Sequence, residues 1–241
     1  MPLVHTEEFA LRYSECDRNG RMKLKTFFDF AQDVAGVHAS RIGVGVEILA
    51  PLRQAWMLSR IRVRLAEYPA IGETVSVATW PSGFEHLFAR REFRFSTPRL
   101  GEFARASSGW LLVDVDKMRI LPSERLYGKI IPSDGAPERI FQELDKLTPA
   151  KQDGTNTETR KIQPTQIDIN GHLNNAEYAG ILQDALGIGR YPGEFQLNYQ
   201  KSVPPDSMMA VSKSLVDNHF AVTGRVNGAV AFESEGDLMA Q

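Results

Sequence analysis

Hydrophobic residues recur at helical spacing in two stretches of the chain, and alternation with polar residues follows each stretch. The first stretch begins at Leu24, and Gly43 and Gly45 follow its end. From Trp56 to Asp114 apolar and polar residues alternate, as in "SRIRVRL", with Pro and Gly breaks between the runs. The helical stripe consists of Leu24, Phe27, Phe28, Ala31, Val34, Ala35 and His38. A period near 3.6 followed by a period of two predicts one helix and then an antiparallel meander.

The same pattern restarts after residue 156. "ETRKIQPTQID" is a strand candidate and "NNAEYAGILQDALG" a helix candidate, and four more strand candidates follow. Asn227-Gly228 separates the last two of these, which is a strong signal for a tight hairpin. The second half of the chain therefore predicts a second helix and meander.

Residues 122–156 differ from both halves, because they are rich in Pro, Gly and charge. They contain one short helical candidate around Glu138 to Leu147, and the composition is typical of a linker. We therefore expect a first unit at residues 1–125, a linker at 126–156 and a second unit at 157–241.

The two halves align without gaps at an offset of 151 residues. "DRNGRMKLKTFFDFAQDVAGV" from Asp17 and "DINGHLNNAEYAGILQDALGI" from Asp168 share six of 21 positions. The identical pairs are Asp17/Asp168, Asn19/Asn170, Gly20/Gly171, Gln32/Gln183, Asp33/Asp184 and Gly36/Gly187. This similarity indicates an internal duplication of a strand, a D-x-N-G turn, a helix and about four strands. A long helix on an antiparallel sheet, present twice, is an α+β arrangement.

Composition narrows the class of protein further. The chain has 241 residues, 42% of them hydrophobic, with a formal net charge of -2 and a pI near 6.2. That charge argues against a general attraction to nucleic acid. The single cysteine, Cys16, excludes an intrachain disulfide and favours a cytoplasmic location. We expect neither a secretory signal nor a membrane span, because no apolar run reaches about 18 residues.

Asp168, Asn170 and His172 form a D-x-N-x-H motif just before the second helix. The carboxylate is a candidate base or nucleophile, the imidazole exchanges protons near neutral pH, and the amide can donate to an oxyanion. Backbone N–H groups of the helix's first turn, near Asn174 to Glu177, are further donors. Together these groups suit the attack of water on an ester or thioester carbonyl.

Other interpretations of these residues stay open. Asp and Asn before a helix are common as caps and turn formers. One His and one Asp without a second His or a Cys do not make a metal-ligand set. Cys16 lies beside Asp17 without a neighbouring histidine, so a cysteine nucleophile is weakly supported. The duplication favours the second copy as the active one, because His172 takes the place of Arg21.

"DINGHLNNAEYAGILQDAL" resembles the second-domain signature D-x-N-x-H-x-N-N-x-x-Y of the acyl-acyl carrier protein thioesterases, the plant and bacterial double hot-dog enzymes. "YSECDRNGRMKLKTFFDFAQDVAGVHASRIGVG" and "WMLSRIRVRLAEYPAIGETVSVATWPSG" resemble their first domain. The resemblance covers roughly residues 5 to 235. It implies a tandem double hot-dog fold, in which a curved antiparallel sheet wraps one long helix in each unit.

The resemblance also implies an activity, which is hydrolysis of fatty acyl-acyl carrier protein to free fatty acid without metal or cofactor. By the same likeness Asp168, Asn170 and His172 are catalytic and the first unit shapes the acyl pocket. The substrate-binding candidates are Asn174, Asn175, Tyr178 and Ser202. Residues of the first helical stripe, among them Phe27, Phe28, Val34 and Ala35, are pocket or core residues.

One departure from the family pattern concerns the strand after the second helix. The family often has Y-x-x-E there, whereas Ser202 stands three residues after Tyr199. Glu177 and Glu194 are nearby in sequence, without evidence that either substitutes. The departure keeps a non-catalytic acyl-binding protein open as an alternative, beside an acyl-CoA thioesterase.

The carrier protein is acidic, so its docking surface should be basic. Three clusters are candidates: Arg60, Arg62 and Arg64; Arg90 and Arg91; and Arg21, Lys23 and Lys25. The alternative for each cluster is a solvated face. The sequence leaves open the acyl length and whether the intramolecular pseudo-dimer forms a homodimer.

Overall fold

The computed structural model describes residues 3–122, 138–150 and 157–240. The helices are α1 (Leu24–Arg41), α2 (Val46–Leu49) and α3 (Asn175–Leu186). The strands of the first half are β1 (His5–Ala10), β2 (Gln54–Leu65), β3 (Thr74–Glu85), β4 (Phe88–Thr97), β5 (Gly101–Asp114) and β6 (Arg119–Leu121). Those of the second half are β7 (Thr157–Lys161), β8 (Pro192–Tyr199), β9 (Met208–Val216), β10 (His219–Val226) and β11 (Ala229–Leu238). The two long helices and the strands that follow them are confirmed.

In the part of the chain that the structure describes, all strands belong to one antiparallel sheet. Its order is β1-β3-β4-β5-β2-β8-β11-β10-β9-β7, and β6 pairs with β5 outside this path. Each half contributes five strands in mirrored order, and the halves join where β2 pairs with β8 from Arg60↔Asn198 to Arg64↔Glu194. This is the expected α+β tandem of two helix-and-sheet units.

One hydrophobic core runs through both units. α1 and α3 lie side by side, and their apolar faces bury Phe27, Phe28, Leu182 and Leu186 against the sheet. Phe195 on β8 contacts Phe28 across the join, with ring centroids 6.4 Å apart. Continuous burial across the β2–β8 join makes the two halves one packed body.

The two helices also support each other through a polar contact. The side-chain oxygen of Gln183 accepts a hydrogen bond of 2.8 Å from the backbone N–H of Leu24, the first residue of α1. The first N–H groups of a helix have no partner within the helix, so a glutamine from α3 satisfies one of them. Gly180 of α3 lies beside the Lys25 side chain of α1, with room for a Cβ at ordinary van der Waals distance.

The helix predicted around Glu138 to Leu147 is wrong. Residues 138–150 contain no helix and cross the outer face of the sheet. Trp80 on β3 donates to the carbonyl of Glu138, and the N–H of Ala150 donates to Thr223 on β10. Six strand spacings separate β3 from β10, about 29 Å, whereas a helix of this length covers only about 18 Å.

This crossing segment is anchored by buried side chains and by backbone hydrogen bonds. Phe141 and Leu144 are buried against β5 and β2. Beyond them, Gln196 on β8 both donates to and accepts from the backbone of Asp145. The segment therefore spans both units as part of the fold, while the domain boundaries at 125 and 157 remain a prediction.

Candidate active site

Asp168 organises a tight turn directly before α3. Its Oδ1 accepts hydrogen bonds from the backbone N–H of Asn170 at 2.8 Å and of His172 at 3.4 Å. Its Oδ2 accepts from the side-chain amide of Asn170 at 3.2 Å. Gly171 has a φ of 79°, a left-handed conformation that glycine adopts without strain. The sequence motif thus folds into a turn in which the amide of Asn170 orients the carboxylate.

The first unit contains the same turn. Asp17 accepts from the N–H of Asn19 at 2.8 Å and of Arg21 at 3.1 Å. Here, however, the other carboxylate oxygen accepts a hydrogen bond of 2.6 Å from the hydroxyl of Tyr191. For Asp168, no donor from outside its own turn is found among the described residues. The hydrogen bonds that the two copies share form the turn. The copies differ in the groups that surround the carboxylate, and these groups determine its reactivity.

His172 is the clearest of these differences. Its counterpart Arg21 pairs with Glu67 and donates to the carbonyl of Tyr68 at 3.1 Å. The imidazole of His172 is exposed and has no hydrogen-bond partner in the part of the chain that the structure describes. It is therefore available to an incoming ligand.

The first turn of α3 offers fewer donors than the sequence suggests. The N–H groups of Asn174, Ala176 and Glu177 donate to the carbonyl of Gln166, to the side chain of Asn174 and to its carbonyl. Asn174 is thus the N-cap of the helix, and its capping bond is 2.8 Å. Within the described residues, the N–H of Asn175 is the first-turn donor without an acceptor. The expected set at Asn174 to Glu177 is corrected to this one amide, because the cap accepts from Ala176 and Glu177 and the carbonyl of Gln166 accepts from Asn174.

Asn175 also borders a small apolar cavity between α1 and the sheet of the first unit. The cavity is lined by Phe28, Ala31, Gln32, Leu58, Ile61, Phe93, Ser108, Trp110 and Asn175. Four residues of the first helical stripe were expected at a pocket or in the core. Of these, Phe28 lines the cavity, and Phe27, Val34 and Ala35 are core residues outside its lining. Gln32 was missed, although its identity with Gln183 in the duplication singles it out. The start of α3 therefore meets an apolar space built by the other unit.

Tyr178 lies in the core behind the turn. It is buried and packs edge-on against Tyr199 and Phe232, with centroids 5.2 and 5.5 Å away. Burial and then the charge of Asp168 raise the pKa of Tyr178 above its ordinary value. Tyr199 donates to the carbonyl of Asn175 at 3.1 Å and so fixes the first residue of α3. The motif tyrosine supports the turn from inside.

Ser202 is exposed in the segment after β8, next to the turn. The carbonyl of its neighbour Val203 accepts from the N–H of Leu173 at 2.8 Å, and Leu173 follows His172 in the chain. Glu177 accepts from Gln166 and pairs with Lys25, while Glu194 pairs with Arg62 and Arg64. Both carboxylates are thus engaged elsewhere, and the absence of an acid at Ser202 stays a prediction from the family resemblance.

The arginine clusters have mostly internal roles. Arg90 and Arg91 are 0% and 4% exposed, so the expectation that they form a docking surface is wrong. Arg60 donates to the carbonyl of Leu144 at 2.6 Å, and Arg62 and Arg64 lie over the ring of Phe141. The crossing segment lies against the cluster of Arg60, Arg62 and Arg64, which leaves Arg60 and Arg62 partly buried and Arg64 exposed. The third predicted cluster consists of Arg21, Lys23 and Lys25, and all three side chains are half-buried.

Other chemistries find little support in the structure. Cys16 is buried, and burial together with Asp17 and Glu15 raises the pKa of its thiol, which disfavours the nucleophilic thiolate. Across residues 3–122, 138–150 and 157–240 no three His, Cys, Asp or Glu side chains group as a metal site would require. Within the same ranges, no helix has the length and hydrophobicity to cross a membrane.

The fold and the turn together define a class: two hot-dog units in one chain, with a polar turn at the second helix. The N-terminal domain of the acyl-ACP thioesterases (ACP, acyl carrier protein) matches residues 2–125, and their C-terminal domain matches residues 150–228. The chain belongs to the acyl-ACP thioesterase family.

Relatives and solved structures agree with this. The chloroplastic oleoyl-acyl carrier protein thioesterase 1 of Arabidopsis thaliana is 24% identical over 200 residues, which are 76% of this chain and 55% of that protein. The chain thus spans about half the length of this relative. An acyl-ACP thioesterase from Bacteroides thetaiotaomicron has a TM-score of 0.84 at 23% identity, covering 98% of both chains. The 12:0-ACP thioesterase of Umbellularia californica has 0.83 at 19% identity, covering 100% and 99%. These similarities show the double hot-dog fold.

Proposed function

We propose that this protein hydrolyses the thioester of a fatty acyl chain carried by acyl carrier protein, releasing the free fatty acid. The observation that carries the proposal is the meeting of two features at Asn175. The polar turn of the second unit precedes this residue, and the apolar cavity of the first unit borders it. A thioester needs polar groups beside an acyl-binding space, and family membership supports this pairing.

In the proposed mechanism, Asp168 activates a water molecule that attacks the thioester carbonyl, or attacks the carbonyl itself to form an acyl anhydride that water then hydrolyses to the free fatty acid. Asn170 orients the carboxylate, because its side-chain amide already donates to Asp168. His172 delivers a proton to the leaving thiolate or polarises the carbonyl. The N–H of Asn175, at the positive end of the α3 dipole, donates to the oxyanion. The cavity beside Phe28 and Gln32 has a volume of only about 10 Å³, which is about the space of one water molecule, so the acyl chain has to displace the lining side chains to enter there.

The donor is proposed to be the carrier protein, and the reaction to take place in the cytoplasm without metal or cofactor. An acyl-CoA thioesterase is the neighbouring possibility and uses the same groups. Ser202 favours a second candidate function, a protein that retains acyl chains without hydrolysing them, because the family's acid is absent from that position. The two candidate functions differ in turnover, because a thioesterase releases fatty acid repeatedly and an acyl-retaining protein does not.

The test is steady-state hydrolysis of acyl-ACP substrates from medium to long chains, repeated with the same chains on coenzyme A. His172→Ala should lower kcat by about two orders of magnitude or more, as expected for removal of a general acid–base group. Arg21→Ala, at the equivalent position of the first unit, is the matched control and should retain turnover. Equal activity of both variants would contradict the proposal. A folded wild type that binds fatty acid but has no turnover would support the retention function.

A further inference from the structure

A second cavity lies on the pseudo-symmetric side of the molecule, at the turn of the first unit. It is an open groove of about 550 Å³. Its lining includes Asp17 and Arg18 of that turn, the outer face of α3 around Gly180 and Ile181, and the loop up to Tyr191. None of Asp168, Asn170 and His172 lines it. Its volume lies in the range of small-molecule sites, about 300–1,000 Å³.

The groove cannot repeat the proposed chemistry of the second unit. Asp17 accepts a hydrogen bond from Tyr191, and Asn19 also donates to this hydroxyl at 2.9 Å. Arg21 stands where the second unit has the histidine. With the carboxylate occupied and the imidazole missing, the groove is suited to binding without hydrolysis.

The charges around the groove differ from those around the second turn. Arg18, Lys23 and Lys25 occupy the positions that are Ile169, Asn174 and Ala176 in the other copy. Arg160 and Arg190 line the groove as well, so five cations face three carboxylates in a chain whose net charge is -2. The three carboxylates of the lining are those of Asp17, Glu177 and Asp184.

Not all of these cations are neutralised by the protein. Lys25 pairs with Asp29 and Glu177, and Arg160 pairs with Asp184. Arg18, Lys23 and Arg190 have no carboxylate within ion-pair distance in the described parts of the chain. Lys23 and Arg190 instead donate to the carbonyls of Ser14 and Leu186. Three cations around one groove thus keep charge available for an anion.

We propose that this groove binds a phosphate ester with an apolar or aromatic body. Guanidinium groups recognise phosphate through paired N–H donors, which assigns the phosphate to Arg18 and Arg190. The exposed Ile188 provides apolar surface for the body, and the ring of Tyr191 lies at the same edge. Gly187 and Gly189 keep that side of the groove open.

The test measures binding of two probes, inorganic phosphate and coenzyme A, to the full chain by titration calorimetry. Arg18→Ala and Arg190→Ala change exposed side chains, so both variants should fold. Each should weaken coenzyme A binding about tenfold, as expected for a lost charged hydrogen bond. Arg119→Ala, an exposed arginine on β6, is the matched control and should bind as the wild type does.

Tighter binding of coenzyme A than of phosphate supports the proposed contribution of the organic body. Equal binding of the two probes would overturn that part of the proposal and leave a site for free phosphate. The proposal is overturned if the wild type binds neither probe. It is also overturned if the groove variants weaken binding no more than Arg119→Ala does. Because the readout is binding, the result does not depend on whether the chain hydrolyses thioesters.

Discussion

At the scale of single residues, the two D-x-N-G turns show how one motif serves both structure and chemistry. Asp17 and Asp168 make the same backbone hydrogen bonds, so both aspartates are turn formers, and neither caps the helix that follows. What separates them is the neighbourhood of each carboxylate. The hydroxyl of Tyr191 donates a hydrogen bond to the carboxylate of Asp17, whereas His172 is exposed beside Asp168. A turn that already fixes a carboxylate needs few further changes to become a catalytic site.

The position of Ser202 gives a prediction at this scale. Ser202→Glu places a carboxylate beside the turn, where the family often has one, and where it can orient His172 or a water molecule. We expect kcat for acyl-ACP hydrolysis to rise several-fold, up to about tenfold, because a positioned acid–base partner improves proton transfer. The measurement is steady-state kinetics on the preferred acyl-ACP substrate.

The control for this variant is Ser202→Gln, which has a similar side-chain size without the charge. It should leave kcat near the wild-type value. A Ser202→Glu enzyme no faster than Ser202→Gln would show that Asp168 carries the base role without help from this position. Because Ser202 is exposed, neither change is expected to alter stability by more than about 0.5 kcal/mol.

At the scale of elements, the crossing segment yields a prediction about stability. Phe141→Ala removes a buried ring that packs below Arg62 and Arg64. We expect the free energy of unfolding to fall by about 3 kcal/mol, the usual cost of truncating a buried phenylalanine. Chemical denaturation followed by tryptophan fluorescence measures it. Glu143→Ala changes an exposed neighbour in the same segment and should be close to neutral. Equal effects of the two variants would mean that the segment does not stabilise the sheet.

The same segment shows where sequence patterns stop being decisive. Phe141, Leu144 and Leu147 are three residues apart, a spacing that fits a helix and also an extended chain with three residues per turn. Only the distance across the sheet selects the extended path. For α1 and the strands of the meander, by contrast, one periodicity fits and the prediction is confirmed. The strand β1 was expected only from the duplication, which places a strand before each turn, whereas α2 was missed, because four residues are too short for a period to emerge.

The candidate site likewise has a part that the sequence predicted, the turn, and a part that it did not, the cavity. The duplication and the motif identified the turn, because it is formed by local hydrogen bonds that the carboxylate of Asp168 accepts. The cavity beside Asn175 was not predictable in full, since Leu58, Phe93 and Trp110 come from three strands of the other unit. The N-cap role of Asn174 also needed coordinates, because the same asparagine can cap a helix or face a ligand. A sequence predicts groups that lie close together in one turn, whereas it does not predict which residues of the two units meet in space.

At the scale of the whole molecule, three connections hold the units together: the β2–β8 pairing, the contact of α1 with α3, and the crossing segment. Glu194 on β8 strengthens the first of these. It pairs with Arg62 at 2.8 Å and Arg64 at 2.7 Å, both on β2. Burial alone would raise the pKa of Glu194, but the hydrogen bonds and charges of Arg64 and Arg62 outweigh it and lower the pKa below its ordinary value.

This shift has a definite sign. A carboxylate whose pKa is lower in the folded state stabilises the fold above its unfolded pKa, about 4.3 for glutamate, and this contribution is lost as pH falls through the lower folded value. Glu194→Gln should therefore lower the free energy of unfolding at pH near 7, and the difference from wild type should shrink below about pH 4. Glu8→Gln, which removes an exposed carboxylate of β1 without an ion pair among the described residues, is the control for the loss of one negative charge. Denaturation curves at several pH values measure both, and a pH-independent difference for Glu194→Gln would mean that the ion pairs at the β2–β8 join do not contribute to stability.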